Sequence, residues 1–551
     1  MKSFILLING LLLLIILSHQ VVFGSAKKEP ATVSQLKTVR VQESITIDGS
    51  LTESIWQKPG ETNFFQREPN QGDPSSEKTE IWVAYDDNAI YIAAKLYDSA
   101  PDSILKNLAR RDYSTLSDQF YVYLDTYHDK RSGFYFGITP AGQLKDGILQ
   151  NDEGTDSSWD GVWEGKAQVT NDGWTLELRI PFSQLRFKEQ PEYVWGINFR
   201  RDIPRKNEED YLVYTPRSQS GFTSRFPALV GLSNITPPQR FEIKPYVTTK
   251  AEFLKREKGD PFNDGSKYTP DLGIDFKYGL GTNLTLDATI NPDFGQVEVD
   301  PAVVNLSDVE TFYSEQRPFF VEGSSIFNFG YGGAKSNWSF NWSGPDFFYT
   351  RRIGRSPQGS VNSFDYIDQP LGTRIIGAVK ITGRIFNDWK FGAVQAVTNR
   401  EYARIQLDGE KSRVEVEPLT YYGVIRTQRD FDKGKQGVGI LTTYTNRFFK
   451  GGDLKNQINR NALVTGVDGW SFLDKNRTYV VTGWLVGSRV QGSTTQITSL
   501  QKNSTHYFQR PDLNLKVDTS ATSLSGMAGR VALNKQKGAL VLNAAFGVIS
   551  P

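Results

Sequence analysis

Beyond the pair Pro237-Pro238 the chain repeats one pattern, stretches of about ten residues in which apolar and polar side chains alternate. Leu272, Ile274, Phe276 and Tyr278 oppose Gly273, Asp275 and Lys277; Leu284, Leu286, Ala288 and Ile290 oppose Asn283, Thr285, Asp287 and Thr289. The alternation starts at 241–253 and recurs at 374–384, 389–398, 421–429, 437–446, 462–472, 478–489, 513–524 and 539–548. In 437–446, Val438, Ile440, Thr442 and Tyr444 share one side. A period of two sends each set to its own face of a strand. Repeated over roughly a dozen consecutive strands, it fits hydrocarbon on one flank and a wet lumen on the other. Only closure carries so many strands through lipid without an unpaired edge, so residues 241–551 are expected to form an antiparallel transmembrane β-barrel. A large soluble β-protein with one buried sheet face shows the same alternation, and no single strand separates the two readings.

The N-terminus adds a second constraint. Met1 and Lys2 precede an apolar stretch from Phe4 to Leu17, then Val22-Phe23-Gly24-Ser25-Ala26 leads into Lys27-Lys28-Glu29-Pro30. This is the order of a secretory signal peptide, residues 1–26, cleaved after Gly24 or Ala26. Its core is shorter than the roughly 20 apolar residues an anchoring helix needs. There is no cysteine, which excludes disulfides, a lipid-bearing N-terminal cysteine and thiol chemistry. The net charge of +1 gives no reason to expect nucleic acid as a partner. Abundant Gly, Tyr, Phe and Trp with only 2 Met read as all-β.

Residues 39–232 alternate too, but in shorter strands. Ile81, Val83 and Tyr85 lead through Asp86-Asp87-Asn88 into a second strand where Ile90, Ile92, Ala94 and Leu96 share a face, which is a hairpin. Phe120, Val122 and Leu124 oppose Tyr121, Tyr123 and Asp125; further strands are expected at 133–139, 174–180 and 193–200. These suffice for one two-sheet β-sandwich core. Residues 233–240, with Asn234-Ile235-Thr236-Pro237-Pro238, read as a linker, since two prolines cannot pair in a ladder.

Chemistry is sparse. Three histidines, one of them in the signal, give little support to a zinc site or a Ser-His-Asp triad, and no catalytic residue is assigned. Glu153, Asp156 and Asp160 are close in sequence, but a solvated loop accounts for them. Trp159, Trp163 and Trp174 can offer a sugar-stacking platform or pack a core, with packing expected for at least two. Asp293, Glu298 and Asp300 can supply oxygen ligands to a cation, calcium being the candidate, or merely form turns; no other cofactor is expected.

Several runs carry a resemblance. Ile47-Asp48-Gly49-Ser50-Leu51-Thr52-Glu53-Ser54-Ile55-Trp56, Tyr85 to Ile92, Asp118 to Asp125 and Gly173-Trp174-Thr175-Leu176-Glu177 resemble the family 9 carbohydrate-binding module. Asn291 to Asp300, Arg317-Pro318-Phe319-Phe320-Val321-Glu322-Gly323 and Tyr349 to Arg355 resemble the uncharacterised barrel domain that follows such modules in outer-membrane proteins of Bacteroidetes-type bacteria. In sugar-binding members two tryptophans clamp a terminal sugar. Here the corresponding loops read Asp112 to Ser117 and Gly221 to Phe226, so the resemblance implies Tyr113 and Phe222 as aromatic substitutes, with Arg110, Arg111 and Asp118 as hydroxyl partners.

Three functions follow for a protein placed in the outer membrane with its N-terminal domain in the periplasm and lipid around its barrel. The sandwich binds a saccharide and helps take it up. Alternatively, the barrel transports and the sandwich docks or gates. A glycoside hydrolase linked to carbohydrate catabolism is the third, and would need two carboxyl groups about 5 to 10 Å apart in one pocket. Barrels of this kind usually end on an aromatic residue, whereas this chain stops at Val548-Ile549-Ser550-Pro551, so a truncated barrel lacking its last strands is expected.

Overall fold

The computed structural model describes residues 33–550 except 151, 237–240, 256, 282, 293–310, 314, 331–346, 387–388, 505, 507, 509–514 and 539. The signal segment 1–26 and the trio Asp293, Glu298 and Asp300 lie outside the described residues.

The N-terminal half is a sandwich of a nine-stranded and a five-stranded sheet. Alternation decides which side chains meet between them. From the smaller sheet Ile90, Ile92, Ala94, Leu96, Trp174, Leu176 and Leu178 face Phe120, Val122, Leu124, Phe136 and Phe199 of the larger, and all are buried. The Ile47-Asp48-Gly49-Ser50 run is a turn that docks on the smaller sheet. Glu177 accepts the N–H groups of Asp48 (3.1 Å) and Gly49 (3.0 Å) and the indole N–H of Trp56 (3.0 Å). Gly49 sits at φ +88°, where a side chain would be strained.

The C-terminal half is one antiparallel sheet of eleven strands in sequence order. They are β1 (Phe241–Phe253), β2 (Ser266–Leu280), β3 (Leu284–Ile290), β4 (Ile375–Ile385), β5 (Trp389–Thr398), β6 (Leu419–Phe431), β7 (Gln436–Phe448), β8 (Asn461–Phe472), β9 (Tyr479–Gln491), β10 (Ser523–Lys535) and β11 (Leu542–Ile549). Among the described residues β1 and β11 each pair on one side only. Ten of these eleven lie where the alternation expects a strand. The strand expected at 513–524 instead occupies 523–535, because β9 is 13 residues long and pairs with it residue for residue from Gln491↔Ser523 to Tyr479↔Lys535. The segment before it holds a short helix, Thr494–Lys502, whose cap Ser493 accepts the N–H of Gln496. A side hairpin, Glu401–Leu407 with Glu410–Glu417, was not anticipated; it projects between β5 and β6.

Burial along these strands is inverted relative to a soluble core. Leu272, Ile274, Ile290, Ile425, Val438, Ile440, Leu485 and Val531 are exposed, while Thr285, Asp287, Thr289, Lys380, Thr382, Arg426, Gln428 and Asp468 on the opposite face are buried. Aromatic side chains cluster at the strand ends on the outer face, with Phe241 and Phe431 at one end and Phe253, Tyr268 and Phe448 at the other.

What covers the inner face is the long connection between β3 and β4. Its helical turns Pro318–Val321 and Ser324–Phe327 place Phe320 and Phe327 in a cluster with Ala378, Val394, Ala396, Tyr422 and Val424. Within 319–330 this segment touches Lys380 of β4, Gly392 of β5, Asp468 of β8 and Trp484 of β9. Strands about 4.8 Å apart would spread that set over roughly 24 Å if flat, so the wall curves around the segment. The connection is a plug.

Five short turns lie at one end of this wall and the five long connections at the other, as the antiparallel order requires. The sandwich sits on the short-turn end. Tyr127 donates to Asn283 (3.1 Å), Arg384 bonds to Ser132 (2.9 Å) and pairs with Asp129, Arg477 lies 3.7 Å from Asp152, and the N–H of Gly538 bonds to the carbonyl of Ser218 (3.0 Å). Arg131 is the most enclosed contact. Its guanidinium bonds to the Gly434 carbonyl (2.6 Å), lies 3.2 Å from Asp430 and stacks over Trp470 at 5.0 Å. Removing one member of a buried ion pair costs about 3–5 kcal/mol. Arg131→Ala is therefore expected to raise amide hydrogen exchange at 125–133 and 430–436 together in the full chain; unchanged exchange at both would mean the seat does not depend on this residue.

Candidate functional site: a tyrosine face and a plugged barrel

The larger sandwich sheet turns its second face away from the core. Strand Gln119–Asp125 sends Phe120, Val122 and Leu124 inward, so Tyr121 and Tyr123 lie on the opposite side, where Tyr123 is buried with Leu149 and Phe226 and Tyr121 is half-buried. Tyr121 and Tyr123 stack at 6.1 Å, Tyr135 meets Tyr121 edge-on at 6.4 Å, and Phe222 stands perpendicular on Tyr123 at 4.9 Å. Arg200 lies 5.7 Å from the rings of both Tyr121 and Tyr211, and is held by Asp202 (2.5 Å) and Glu209 (3.2 Å). Gln119 accepts from the Tyr121 hydroxyl (2.6 Å) and from Lys145 (2.8 Å). Aromatic faces bordered by fixed donors and acceptors suit a ligand that is apolar on its ring faces and polar at its rim.

The expected residues are dispersed around this face. Phe222 lies on it, its loop pinned by Asp152, which accepts from the N–H groups of Phe222 (3.1 Å) and Ser224 (2.8 Å). Tyr113 is 55% exposed, and its carbonyl and that of Arg110 accept from Gln143. Arg110 is exposed. Arg111 is engaged by Asp146 (2.9 and 2.7 Å) and the Gly161 carbonyl (2.7 Å). Asp118 is fully buried and accepts from the N–H of Leu105 (2.9 Å). Tyr121, Tyr123, Tyr135 and Arg200 are not among the expected site residues. The signal was present, since a strand alternating Phe-Tyr-Val-Tyr-Leu puts tyrosines on the face away from the core.

Other chemistry resolves into packing. Trp159, Trp163 and Trp174 are all in the sandwich core, with Trp159 against Phe134 and Trp163 against Phe136. Glu153 accepts the N–H of Gly221, and Asp156 that of Ser158. Oxygens of Asp112, Asp146 and Asp160 lie within 4.8 Å of one another, a spacing a cation can bridge. Arg111 already approaches all three, at 3.6, 2.7 and 3.3 Å. Burial pushes the Asp112 carboxyl up to about 6.

Inside the barrel the conspicuous motifs build the plug. Arg317 donates to the carbonyls of Ile353 (2.6 Å) and Thr350 (2.9 Å) and covers Phe320 at 4.3 Å, which ties Arg317 to Gly323 with Tyr349 to Arg355. Glu322 takes Lys277 at 2.7 and 2.8 Å, and Lys380 donates to the carbonyls of Phe319 (2.5 Å) and Glu322 (2.7 Å). Arg426 and Asp468 form a doubly bonded pair (2.6 and 2.8 Å) beneath Phe329.

A family model described as domain of unknown function DUF5916 matches residues 237–522, more than half of the chain. The chain belongs to this family. The DUF5916 match runs from the double proline through the plug to the residue before β10. N-terminal to it, the model for a carbohydrate family 9 binding domain-like region matches residues 47–208. No curated protein matches the chain. Among solved structures, a family 9 carbohydrate-binding module from Caldicellulosiruptor kristjanssonii in complex with glucose is 19% identical, covering 37% of this chain and 100% of its own, with a TM-score of 0.27. A putative carbohydrate-binding protein from Bacteroides uniformis is 13% identical, covering 36% and 99%, with a TM-score of 0.30. The outer membrane channel DcaP of Acinetobacter baumannii is 9% identical, covering 86% and 90%, with a TM-score of 0.22.

The sandwich ahead of the DUF5916 domain carries a pH signature. Burial raises the Asp118 carboxyl from 3.8 to about 6. An acid whose folded pKa is raised binds its proton more tightly when folded, so its contribution is full below the unfolded pKa and is lost as pH rises through the folded value. Asp118→Asn is expected to lessen the fall in sandwich melting temperature between pH 4 and pH 6, with Asp112, Glu177 and Asp210, also raised by burial, carrying the rest. An unaltered slope, measured by calorimetry on the full chain, would assign the dependence to another group.

Proposed function

We propose that this DUF5916 protein resides in the bacterial outer membrane, with its sandwich in the periplasm at the mouth of the barrel, where the tyrosine face takes saccharides and helps their uptake. The inverted burial of the eleven strands carries the reading: apolar side chains stand exposed outside while charged and hydroxyl side chains are enclosed. In water that arrangement is unfavourable by about 25 cal/mol for each Å² of apolar surface, and in hydrocarbon it is the stable one. The aromatic ends of β1, Phe241 and Phe253, are twelve residues apart. That is roughly 40 Å along the strand and about 28 Å across a bilayer at a 45° tilt, close to the apolar band of such barrels. Short turns face the periplasm in outer-membrane barrels, and the sandwich sits at that end. Saccharide recognition rests on the family 9-like match together with the half-buried Tyr121, Tyr135 and Phe222, which pack on the buried Tyr123.

A second reading is favoured by the plug. With Glu322, Phe320 and Phe327 filling the interior, solute passes only if the plug moves, which makes the sandwich beneath it a docking or gating element.

Two outcomes are expected. Ile425→Arg places a charge at mid-strand on the outer face, at a cost of about 2–4 kcal/mol in lipid. Heat-modifiable folded protein in the membrane fraction should fall severalfold, while a soluble protein would tolerate an added surface arginine. Tyr121→Ala should weaken binding of a neutral oligosaccharide to the detergent-solubilised chain by roughly tenfold, the loss of one stacking aromatic; if neither the wild type nor the variant binds any glycan on an array, the docking reading replaces the binding one.

A further inference from the structure

Where sandwich, plug and wall meet, they border a half-open cavity of about 160 Å³. Its boundary includes Tyr127, Trp159 and Arg186 from the sandwich, Glu322 from the plug, and Arg384 and Lys390 from the wall. A dry cavity of about 150 Å³ holds one six-membered ring, so this one has room for a single sugar-sized ring rather than a chain.

The charges around it are unequal. Glu322 is taken by Lys277, Asp287 lies 3.8 Å from Lys380, Asp129 holds Arg384, and Asp430 lies 3.2 Å from Arg131 and 3.9 Å from Lys390. Asp125, beneath Asp129, is fully buried, and burial pushes its carboxyl well above the usual range, toward the neutral form. Four charged carboxylates thus meet the five cations just named, and Arg186 makes a sixth. Its neighbours Leu185 and Phe187 point into the core, so its own side chain points away from the core, and its carbonyl is held by the Thr126 hydroxyl at 2.6 Å. Its charge reaches Asp287 and Glu322, yet its guanidinium makes no hydrogen bond among the described residues. A planar guanidinium with open donors matches an oxyanion with two acceptor oxygens. The Tyr127 ring lines the same cavity beside Phe134 and Trp159 of the sandwich core, and Ser132, Ser325 and Gln428 bring hydroxyl and amide groups to it.

We infer that this junctional cavity is a binding site for one oxyanion-bearing sugar ring, with Arg186 as its anchor. The site is separate from the tyrosine face and stands whether or not that face binds neutral glycans. A ligand here touches all three parts that must part for solute to pass, so it acts on the seating of the plug.

The test is calorimetric titration of the full chain in detergent with D-glucuronate, glucose 6-phosphate and D-glucose. At least one of the two anionic sugars is expected to bind roughly tenfold or more tightly than glucose, the worth of one charge-assisted hydrogen bond. Which one binds assigns the anion as carboxylate or phosphate. Arg186→Gln should lose that preference, Ser325→Phe should abolish binding by filling the cavity, and Lys166→Ala, exposed on the smaller sandwich sheet, should leave it unchanged. Thermal melts of each variant verify folding. Equal binding of glucose and both anions, undiminished binding in Arg186→Gln and Ser325→Phe, or no binding of any probe would overturn the assignment.

Discussion

Every backbone N–H and C=O of a strand surrounded by hydrocarbon has to find its partner in the neighbouring strand, because no solvent stands in for a missing one. Between its strands the eleven-strand wall keeps registers unbroken over most of their length, among them thirteen consecutive pairs between β1 and β2 and thirteen between β6 and β7, while β1 and β11 each pair on one side only among the described residues. Among the described residues the only register shift in the wall lies between Ile375 and Gly377 at the start of β4, where the chain re-enters from the plug. All else in this half follows from the ladder. It settles which side chains look outward, forces the rest to share an interior, and leaves the long connections at one end and the tight turns at the other.

An interior populated by Lys277, Asp287, Lys380, Arg426 and Asp468 cannot remain both dry and unpaired. Pairing inside the wall meets part of the need, as in Arg426 with Asp468. The plug meets more of it, presenting Glu322 to Lys277 and its own carbonyls to Lys380, and covers the apolar upper band with Phe320 and Phe327. The sandwich completes the lower rim by offering Asp129 to Arg384 and Arg131 to Asp430. Barrel, plug and sandwich are therefore coupled through charge, and displacing one leaves uncompensated groups in the others.

Much of this was legible beforehand. The face of each sandwich strand could be read directly, and Ile90, Ile92, Ala94 and Leu96 all lie in the core as their spacing dictates. So could the strands from Leu272 to Arg489. The candidate site was less legible for physical reasons. Asp118 follows an exposed loop in sequence, but its carboxylate turns under to hold the N–H of Leu105, a contact no local pattern announces. Tyr121 and Tyr135 come together only because strands 119–125 and 133–138 pair, and Phe222 reaches Tyr123 only because Asp152 clamps a loop some seventy residues away. Helical content was missed where the connection after β3 folds into the barrel. The Arg317 to Gly323 run was recognised as distinctive, but its place in the interior is set by long-range bonds to Lys277 and Lys380.

What the sequence by itself determined is periodicity: the period of two fixes which residues share a face, and the double proline separates the two halves, because both are properties of neighbours along one chain. Only the tertiary structure decided which face is enclosed and by what. Alternation is symmetric under exchange of inside and outside, and that symmetry is broken when the sheet curls, the plug enters and the sandwich seats Arg131 and Asp129 against the turns.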